Sequence, residues 1–531
     1  MKINKIIVEN YKSLKSTQVE FRDEISIIVG DNEVGKTSLV EALNIGLTAQ
    51  LDGRHIGYEL HPYLFNMDCA TAFLKALAAG EKIVPPSINI ELYFDVHEDL
   101  EHLKGSINTL SEDCPGAKLS IEFDEKYSDE YSDYIADPGQ VTSIPVEYLK
   151  VVWRSFSDQE LTARSMPFKS TMIDASNVRH NLGANRYVID VMSNYLSTHD
   201  QARLALSYRK MKNNFLEDPS IADINAELEK KTGEISDKKV SIALDNTARA
   251  RWEAGVMPHL NEIPFPLVGK GEQSSTKIKL ALAGAGAPRA LLVEEPENHL
   301  SHSNLSALLA IMAEKSELNQ MIVTTHSSFV LNKLGVSSVI FFDGETGATL
   351  SDLSPDTKDY FMKLAGHDTL RFILAKRVVL VEGPSDELVV QKAYLQTHGK
   401  MPLADGAEVI TVNSLAFKRF LEIASLLRID TRVVTDNDGD VAKVQAKYQD
   451  FDEVENISIY YDADEDAPTL EPQLVKYNGR NKVNEILGKD FDTDDELLTF
   501  MQGNKTECAL KFFEYDQEIA IPEYIENAVK K

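Results

Sequence analysis

Short apolar runs, each followed by polar residues and a segment of helical periodicity, recur along the chain in two groups. Within each group strands and helices alternate tightly, which predicts a parallel β-sheet covered by helices. The predicted strands are residues 25–29, 290–293 and 321–325 in the first group and 377–381, 408–412 and 432–435 in the second. The hydrophobic pattern therefore predicts an α/β protein with two modules.

A helical insertion divides the first module. From Arg186 to Glu253 apolar residues recur at three- and four-residue spacing, as in amphipathic helices. This periodicity fits an arm that pairs with a second subunit and, equally well, a helical subdomain that packs on its own chain. The acidic segment 123–139 contains Pro-Gly and predicts a surface hairpin or loop. The predicted boundaries are 1–185 and 255–370 for the first module, 186–254 for the insertion and 371–531 for the second module.

Composition and charge narrow the possible functions. The chain has 531 residues, of which 43% are hydrophobic and 26% are charged, as in globular proteins. No apolar run is long enough to span a membrane, and the N-terminus lacks the pattern of a signal peptide. Three separate cysteines (Cys69, Cys114 and Cys508) predict neither disulfides nor a zinc site, so we expect a cytoplasmic protein. The net charge of −29 argues against a general polyanion binder but is compatible with a metal-dependent enzyme.

The first predicted strand leads into a phosphate-binding motif. The segment Gly30–Thr37 (GDNEVGKT) fits G-x-x-x-x-G-K-[ST] and lies between a buried strand and a helix, which is the context this motif requires. Lys36 is expected to reach the β- and γ-phosphates, and the Thr37 hydroxyl to bind Mg²⁺. The predicted ATP-binding residues of this segment are Gly30, Asn32, Gly35, Lys36, Thr37 and Ser38.

Two later strands end in groups suited to nucleotide hydrolysis. Glu294 and Glu295 follow the strand at 290–293, and we expect Glu294 to hold Mg²⁺ and Glu295 to polarise the attacking water. His326 follows the next strand and is expected to contact the γ-phosphate, although a lone histidine there is more often structural. Two adjacent carboxylates after a buried strand are costly without a cation.

The order of these motifs resembles the ABC-type ATPases of the SMC and recombination-repair kind. The resemblance places the signature loop at residues 269–274 (GKGEQS), where Gly271 and Gln273 would contact a nucleotide bound to a partner subunit. This signature is degenerate, because it lacks the string Leu-Ser-Gly-Gly-Gln. The active form that the resemblance implies is a head-to-head dimer with two shared ATP sites.

The second module carries acidic motifs at the ends of two strands. Glu382-Gly383 follows the strand at 377–381, and Asp436-x-Asp438 follows the strand at 432–435. Parallel strands end at the same edge of a sheet, where α/β folds build ligand sites. A D-x-D sequence alone favours a solvated turn. Together with Glu382-Gly383 it favours a site for Mg²⁺ or Mn²⁺, which prefer oxygen ligands.

This pairing of motifs resembles the Toprim domain. An ABC-type ATPase head with an inserted helical dimerisation region, followed by a Toprim domain, resembles the OLD (overcoming lysogenisation defect) family of nucleases. The segment EEPENHL (294–300) is similar to that family's Walker B region, and NKTECAL (504–510) resembles its late lysine segment. The resemblance implies a two-metal site formed by Glu382, Asp386, Asp436, Asp438 and Glu471. It further implies that Lys505 stabilises charge on the scissile phosphate.

The resemblance implies an ATP-regulated, metal-dependent endonuclease that acts on DNA in antiviral defence. Its implied partners are further copies of this chain and, in some relatives, a helicase-like protein or a reverse transcriptase with its RNA. The main alternative is a non-nucleolytic ATP-dependent clamp or sensor whose Toprim domain is a scaffold. A topoisomerase, a primase and a membrane transporter are disfavoured, because no cleavage tyrosine, zinc ribbon or membrane segment is recognisable.

Overall fold

The chain folds into two compact units. The computed structural model describes residues 1–30, 33–163, 165–167, 169–174, 196–230, 240–244, 256–283, 289–316, 319–349, 353–364, 371–373, 375–412 and 416–530. One unit comprises residues 1–28 and 35–334, and the other comprises residues 29–34 and 335–531. The predicted boundaries at residues 185, 254 and 370 stay predictions, and much of the predicted insertion lies outside the described residues.

The first unit is built on two large β-sheets and has two further two-stranded ribbons among its described residues. An antiparallel sheet has the strand order β2-β1-β6-β8-β7, with β9 beside β8, and a parallel sheet contains β10-β13-β14-β3. The strands are β1 (Ile3–Tyr11), β2 (Leu14–Glu20), β3 (Ile25–Val29), β4 (Gln50–Leu51), β5 (Arg54–His55), β6 (Ile88–Phe94), β7 (Lys104–Gly105), β8 (Cys114–Phe123), β9 (Leu149–Ser155), β10 (Lys169–Asp174), β11 (His259–Leu260), β12 (Ile263–Pro264), β13 (Arg289–Glu294) and β14 (Gln320–Thr324). Since parallel strands are covered on both faces, β3 and β14 are buried along their whole length.

The helices of the first unit connect and cover these sheets. They are α1 (Lys36–Thr48), α2 (Met67–Ala78), α3 (Ser128–Ile135), α4 (Thr198–Glu217), α5 (Pro219–Lys230), α6 (Lys270–Ala283), α7 (His302–Lys315) and α8 (Ser328–Leu334). The prediction of a hairpin or loop at 123–139 is wrong, because this segment contains α3. Tyr131 anchors that helix, since its ring is buried and its hydroxyl donates to the carbonyl oxygen of Ile83 at 2.7 Å.

One buried side chain joins the two sheets of the first unit. Gln320 begins β14, and its Oε1 accepts a hydrogen bond from the backbone N–H of Ile3 at 2.7 Å. Its Nε2 donates to the carbonyl oxygens of Ile3 at 2.7 Å and Arg22 at 2.9 Å. The amide therefore satisfies backbone groups at the start of β1 that would otherwise be buried unpaired.

The second unit carries a parallel sheet with the order β18-β17-β19-β20. The strands of this unit are β15 (Val339–Phe342), β16 (Gly347–Thr349), β17 (Arg377–Val381), β18 (Ala407–Thr411), β19 (Asp430–Val434) and β20 (Ile457–Tyr460), of which the last four form the parallel sheet. Its helices are α9 (Pro355–Leu364), α10 (Pro384–His398), α11 (Phe417–Leu427), α12 (Val441–Tyr448), α13 (Leu470–Asn478), α14 (Arg480–Leu487), α15 (Asp494–Gly503), α16 (Lys505–Glu514) and α17 (Glu523–Val529). The strand order changes direction at β17, which is where open α/β sheets place their ligand sites.

The helices at the C-terminus belong to the core of this second sheet. Apolar residues of α13 to α17 pack with those of α10 and of the strands in one cluster. This packing brings the acidic start of α13 and the lysine that begins α16 towards the sheet edge. Among the described helices, none has the length and apolar character needed to cross a lipid bilayer.

Candidate active site

The ends of β17 and β19 bring two functional groups side by side. The strands pair in parallel with Leu380 opposite Val433, so the residues that follow each strand are neighbours. There the Thr435 hydroxyl donates to Oε1 of Glu382 at 2.5 Å. The predicted juxtaposition of the two strand ends is thus present in the structure, and it includes a threonine that sequence reasoning missed.

Asp386 lies in the first turn of α10. Its Oδ2 accepts a hydrogen bond from the backbone N–H of Gly383 at 3.0 Å, so the carboxylate caps the helix that it belongs to. Burial raises the pKa of Asp386 to about 6, with repulsion from Glu382 and Glu471 adding to the effect. The hydrogen bond from Gly383 opposes this rise.

Asp436 is the most perturbed carboxylate of the group. Burial raises its pKa to about 8, and repulsion from Asp386, Glu382 and Glu471 contributes, whereas Lys505 lowers it. Its Oδ1 is buried and has no hydrogen-bond partner among the described residues. A buried carboxylate oxygen without a donor, surrounded by other carboxylates, is stabilised by a cation.

Glu471 and Lys505 approach the group from the C-terminal helices. Glu471 lies in the first turn of α13 with 4% of its surface exposed, and it accepts a hydrogen bond from the Thr469 hydroxyl at 3.1 Å. Lys505, the first residue of α16, places its Nζ 3.1 Å and 3.2 Å from the two Glu471 oxygens. The lysine thus partly compensates the negative charge of the site.

Asp438 takes a different position from the other four acids. Its φ of 51° is left-handed, its backbone N–H donates to the carbonyl oxygen of Pro468 at 3.2 Å, and its side chain is exposed. The buried Asn437 holds this loop, because its Nδ2 donates to the carbonyl oxygens of Asp462 and Asp464, each at 2.8 Å. The role of Asp438 as a metal ligand stays a prediction.

The donor set suits a hard divalent cation. Its members are carboxylates, which supply the oxygen ligands that Mg²⁺ and Mn²⁺ prefer. In the part of the chain that the structure describes, no three Asp, Glu, His or Cys side chains form a group that holds a metal ion as it stands. The unpartnered Asp436 oxygen and the mutual repulsion of the carboxylates nevertheless fit such an ion.

The predicted nucleotide-binding residues lie at the start of α1. Gly35 precedes the helix with a φ of 104°, and a Cβ there would lie 2.5 Å from the Ser13 hydroxyl. Lys36 and Ser38 are buried, and Ser38 Oγ accepts a hydrogen bond from Ser13 Oγ at 3.2 Å. The side chain of Thr37 is exposed. Of the two hydroxyls, that of Thr37 is therefore the one open to a ligand.

The start of the phosphate loop is described in part. In the second unit, a Cβ at Gly30 would lie 2.2 Å from the carbonyl oxygen of Phe342, so this position requires glycine. Asn32 lies outside the described residues. The motif as a whole thus rests on its sequence and on the strand and helix that flank it.

The ends of β13 and β14 bring together the predicted hydrolytic groups. Glu294 is buried, and Glu295 follows it with a left-handed φ of 43°. The Oε1 of Glu295 lies 3.4 Å from Nε2 of His326, and its Oε2 accepts a hydrogen bond from Asn298 at 2.6 Å. A positive φ at a residue other than glycine is strained, and such strain clusters at functional sites.

A third glutamate in this region was missed by sequence reasoning. Glu297 Oε1 accepts hydrogen bonds from the Thr325 hydroxyl at 2.6 Å and from the backbone N–H of His326 at 3.0 Å. It therefore holds the backbone that carries His326. The string EEPE contains a signal for this residue, but the role of Glu297 depends on a contact with the end of the next strand.

The predicted signature residues lie at the start of α6. A Cβ at Gly271 would lie 2.2 Å from the carbonyl oxygen of His299, so this close approach requires glycine. The buried Gln273 donates from Nε2 to the carbonyl oxygens of Val268 at 2.7 Å and Pro266 at 3.3 Å. Gln273 thus stabilises its own loop here, and its contact with a partner's nucleotide stays a prediction.

Comparison with known families agrees with the two-module architecture. Residues 1–331 match the AAA ATPase domain family, and the chain belongs to this family. Residues 373–438 match the overcoming lysogenization defect protein-like Toprim domain. The predicted fold class, an ATPase head followed by a Toprim domain with a parallel sheet, and the resemblance to the OLD family are confirmed.

Individual relatives are distant. Endonuclease GajA of Bacillus cereus (strain VD045) is 20% identical over 460 residues, which cover 82% of this chain and 75% of that protein. The DNA double-strand break repair Rad50 ATPase of Methanopyrus kandleri is 42% identical over 45 residues, which cover 8% of this chain and 5% of that protein. Among solved structures, the SMC head domain from Thermotoga maritima is 12% identical, with a TM-score of 0.29. The match covers 66% of this chain and 99% of the SMC head domain.

Proposed function

We propose that this chain is an ATP-binding, divalent-metal-dependent DNA endonuclease that hydrolyses phosphodiester bonds and is regulated by its ATPase domain. One observation carries the proposal. Four carboxylates and a lysine converge at the ends of β17 and β19, within and beside the Toprim match, and the buried Asp436 oxygen has no hydrogen-bond partner among the described residues. The distant relative GajA is an endonuclease, which supports the same class of reaction.

The carboxylates provide the metal-binding part of the proposed site. The residues that would hold Mg²⁺ or Mn²⁺ are Glu382, Asp386, Asp436, Asp438 and Glu471. Ions held by these residues would supply positive charge that stabilises the negative charge developing during phosphodiester hydrolysis. Lys505 contributes a positive charge beside the scissile phosphate. Its side chain is half-exposed and long enough for the ammonium group to turn from Glu471 towards a substrate.

The ATPase domain provides the regulatory part. ATP would be bound by Gly30, Asn32, Gly35, Lys36, Thr37 and Ser38, with Glu294 beside its Mg²⁺. Glu295 would polarise the attacking water and His326 would contact the γ-phosphate, which the 3.4 Å separation of their side chains supports. Gly271 and Gln273 would belong to the contact with a second subunit, so the proposed active form is a homodimer or a higher homo-oligomer.

The biological role is proposed from the family resemblance alone. This resemblance assigns the protein to antiviral defence in the cytoplasm, with DNA as its substrate. A separately encoded partner, a helicase-like protein or a reverse transcriptase with its RNA, belongs to the same proposal.

A second candidate function is a non-nucleolytic, ATP-dependent DNA clamp or sensor. It is favoured by the observation that, among the described residues, no three potential ligands form a group that holds a metal ion as it stands. In that case the Toprim domain would serve as a scaffold.

Cleavage of supercoiled plasmid with Mg²⁺ or Mn²⁺, with and without ATP, tests the proposal. We expect wild type to nick or cut the plasmid, and the double variant Asp436→Ala/Asp438→Ala to lose this activity. Asp466→Ala is the matched control, because its exposed carboxylate lies in a neighbouring acidic loop and should be dispensable. Equal cleavage by the double variant would overturn the nuclease assignment, and metal binding without cleavage in any condition would favour the clamp.

A further inference from the structure

The Thr435 side chain has an unusual position for a residue that is not itself acidic. It is the first residue after β19, with 4% of its surface exposed, and its backbone N–H donates to the carbonyl oxygen of Tyr460 in the neighbouring strand at 3.1 Å. The backbone is thus held by the sheet on one side. Because threonine is β-branched, its side chain has few rotamers to choose from.

The hydroxyl has one proton and more than one acceptor within reach, and the Tyr448 hydroxyl also lies close enough to interact with it. Oε1 of Glu382 lies 2.5 Å away and the carbonyl oxygen of Asp436 lies 3.4 Å away, so the proton is donated to the carboxylate. A short hydrogen bond to a charged acceptor is stronger than one between neutral groups. The bond fixes one Glu382 oxygen and leaves Oε2 for another ligand.

Glu382 needs such a restraint. It is the first residue after β17, and its carboxylate repels Asp386 and Asp436, whose pKa values it helps to raise. A glutamate side chain has three rotatable bonds, so an unrestrained carboxylate would turn away from its negative neighbours towards water. The hydroxyl of Thr435 opposes this movement, because the pairing of β17 with β19 places it directly beside the carboxylate.

We infer that Thr435 is a positioning residue that orients Glu382 for a divalent metal ion, an inference that rests on the proposed metal-dependent function. Groups that hydrogen-bond to metal ligands orient them, and their loss typically lowers metal affinity by about 10- to 100-fold. The effect acts through Glu382 and requires no contact between the threonine and the metal ion.

The chain offers a matched control in the strand that precedes Thr435. Thr431 is also buried, within β19, but its hydroxyl donates to the carbonyl oxygen of Ile429 at 3.0 Å, at the other end of the strand. Thr431→Val and Thr435→Val make the same chemical change at two buried positions of one chain segment. Only the second removes a hydrogen bond to a carboxylate of the site.

The test measures Mn²⁺ binding to the full-length, nucleotide-free protein by electron paramagnetic resonance of the free ion. We expect Thr435→Val to weaken binding by about 10- to 100-fold and Thr431→Val to leave it unchanged. Thr435→Ser, which keeps the hydroxyl, should bind within about threefold of wild type, whereas Thr435→Ala should bind as weakly as the valine variant. The serine and alanine pair isolates the hydroxyl even where valine impairs folding.

Plasmid cleavage across a Mn²⁺ titration gives a second readout. The Thr435→Val protein should need more Mn²⁺ for half-maximal cleavage but approach the wild-type rate at saturation, which a general loss of folding would not produce. Equal Mn²⁺ affinity of Thr435→Val and wild type would overturn the inference. If wild type and Asp436→Ala bind Mn²⁺ equally, the proposed metal site itself fails, and the two failures are thus distinguishable.

Discussion

Replacing Asp436 by asparagine should stabilise the metal-free protein at alkaline pH, although it removes a residue of the proposed active site. The pKa of Asp436 rises from its ordinary value of 3.8 to about 8 in the folded protein, mainly through burial and then through repulsion by its neighbours. Between these two values the unfolded chain loses the proton while the folded protein retains it. The free energy of unfolding therefore falls as pH rises through this range.

The size of the effect follows from the shift. One pKa unit corresponds to about 1.4 kcal/mol. A change of the pKa from 3.8 to about 8 therefore lowers the free energy of unfolding of the wild type by at most about 5 to 6 kcal/mol by pH 8. The asparagine amide keeps a burial cost of about 1 to 3 kcal/mol, and relaxation of the neighbouring carboxylates reduces the gain further. We therefore expect the free energy of unfolding of Asp436→Asn to exceed that of the wild type by about 2 kcal/mol at pH 8 and to equal it at about pH 5.

The assay must report on the second unit. The second unit contains no tryptophan in its sequence, so tryptophan fluorescence does not follow it. Hydrogen exchange measured by mass spectrometry on peptides that cover β17 and β19, in EDTA, follows the correct region. A gain of about 2 kcal/mol corresponds to about 30-fold slower exchange at pH 8 after correction for the intrinsic rate.

Asp438→Asn is the control for this experiment, because it makes the same change at an exposed position of the same loop. It should leave exchange in both strands unchanged at either pH. The reasoning is refuted if Asp436→Asn fails to slow exchange at pH 8, or if it slows exchange equally at both pH values.

Three further changes have expected outcomes. Gln320→Leu removes three hydrogen bonds to the backbone and should destabilise the first unit by about 2 to 4 kcal/mol. Tryptophan fluorescence should then show a lower urea midpoint, and an unchanged midpoint would contradict the proposed role of Gln320 in joining the two sheets. Gly271→Ala places a Cβ 2.2 Å from the carbonyl oxygen of His299 and should lower the rate of ATP hydrolysis at least about tenfold. Gly269→Ala should leave the rate unchanged, because its Cβ would meet no heavy atom of the described residues within 4 Å. Equal rates for the two variants would argue against the proposed signature loop. Lys505→Met removes the ion pair with Glu471 and should cost about 1 kcal/mol of stability while abolishing plasmid cleavage but not Mn²⁺ binding. Retained cleavage would exclude the role assigned to Lys505.

Much of the fold was predictable because local patterns carry it. The apolar runs that predict β3 and β17 coincide with the observed strands, Ile25–Val29 and Arg377–Val381. The segment 123–139 was mispredicted because its helix α3 is polar and depends on the burial of a single residue, Tyr131, against a distant part of the chain. Periodicity detects a stripe of apolar positions but does not detect one anchor.

The amino-acid sequence is sufficient to identify the chemical groups that are available to this protein. The phosphate loop before α1, and the acids that follow β13, β17 and β19, are local motifs whose positions at strand ends follow from the geometry of parallel sheets. Glu382 and Asp436 are therefore recognisable without coordinates, because the same few residues both end the strand and carry the charge.

How these groups act on one another depends on the packing of the whole chain. The hydrogen bond from Thr435 to Glu382 depends on strand register, and the pairing of Lys505 with Glu471 depends on how the C-terminal helices pack. Asp436 is perturbed because burial and three other carboxylates meet there, which no local pattern contains. Burial and long-range contacts are properties of the packed chain, and they determine which acids repel, which are held and which face water.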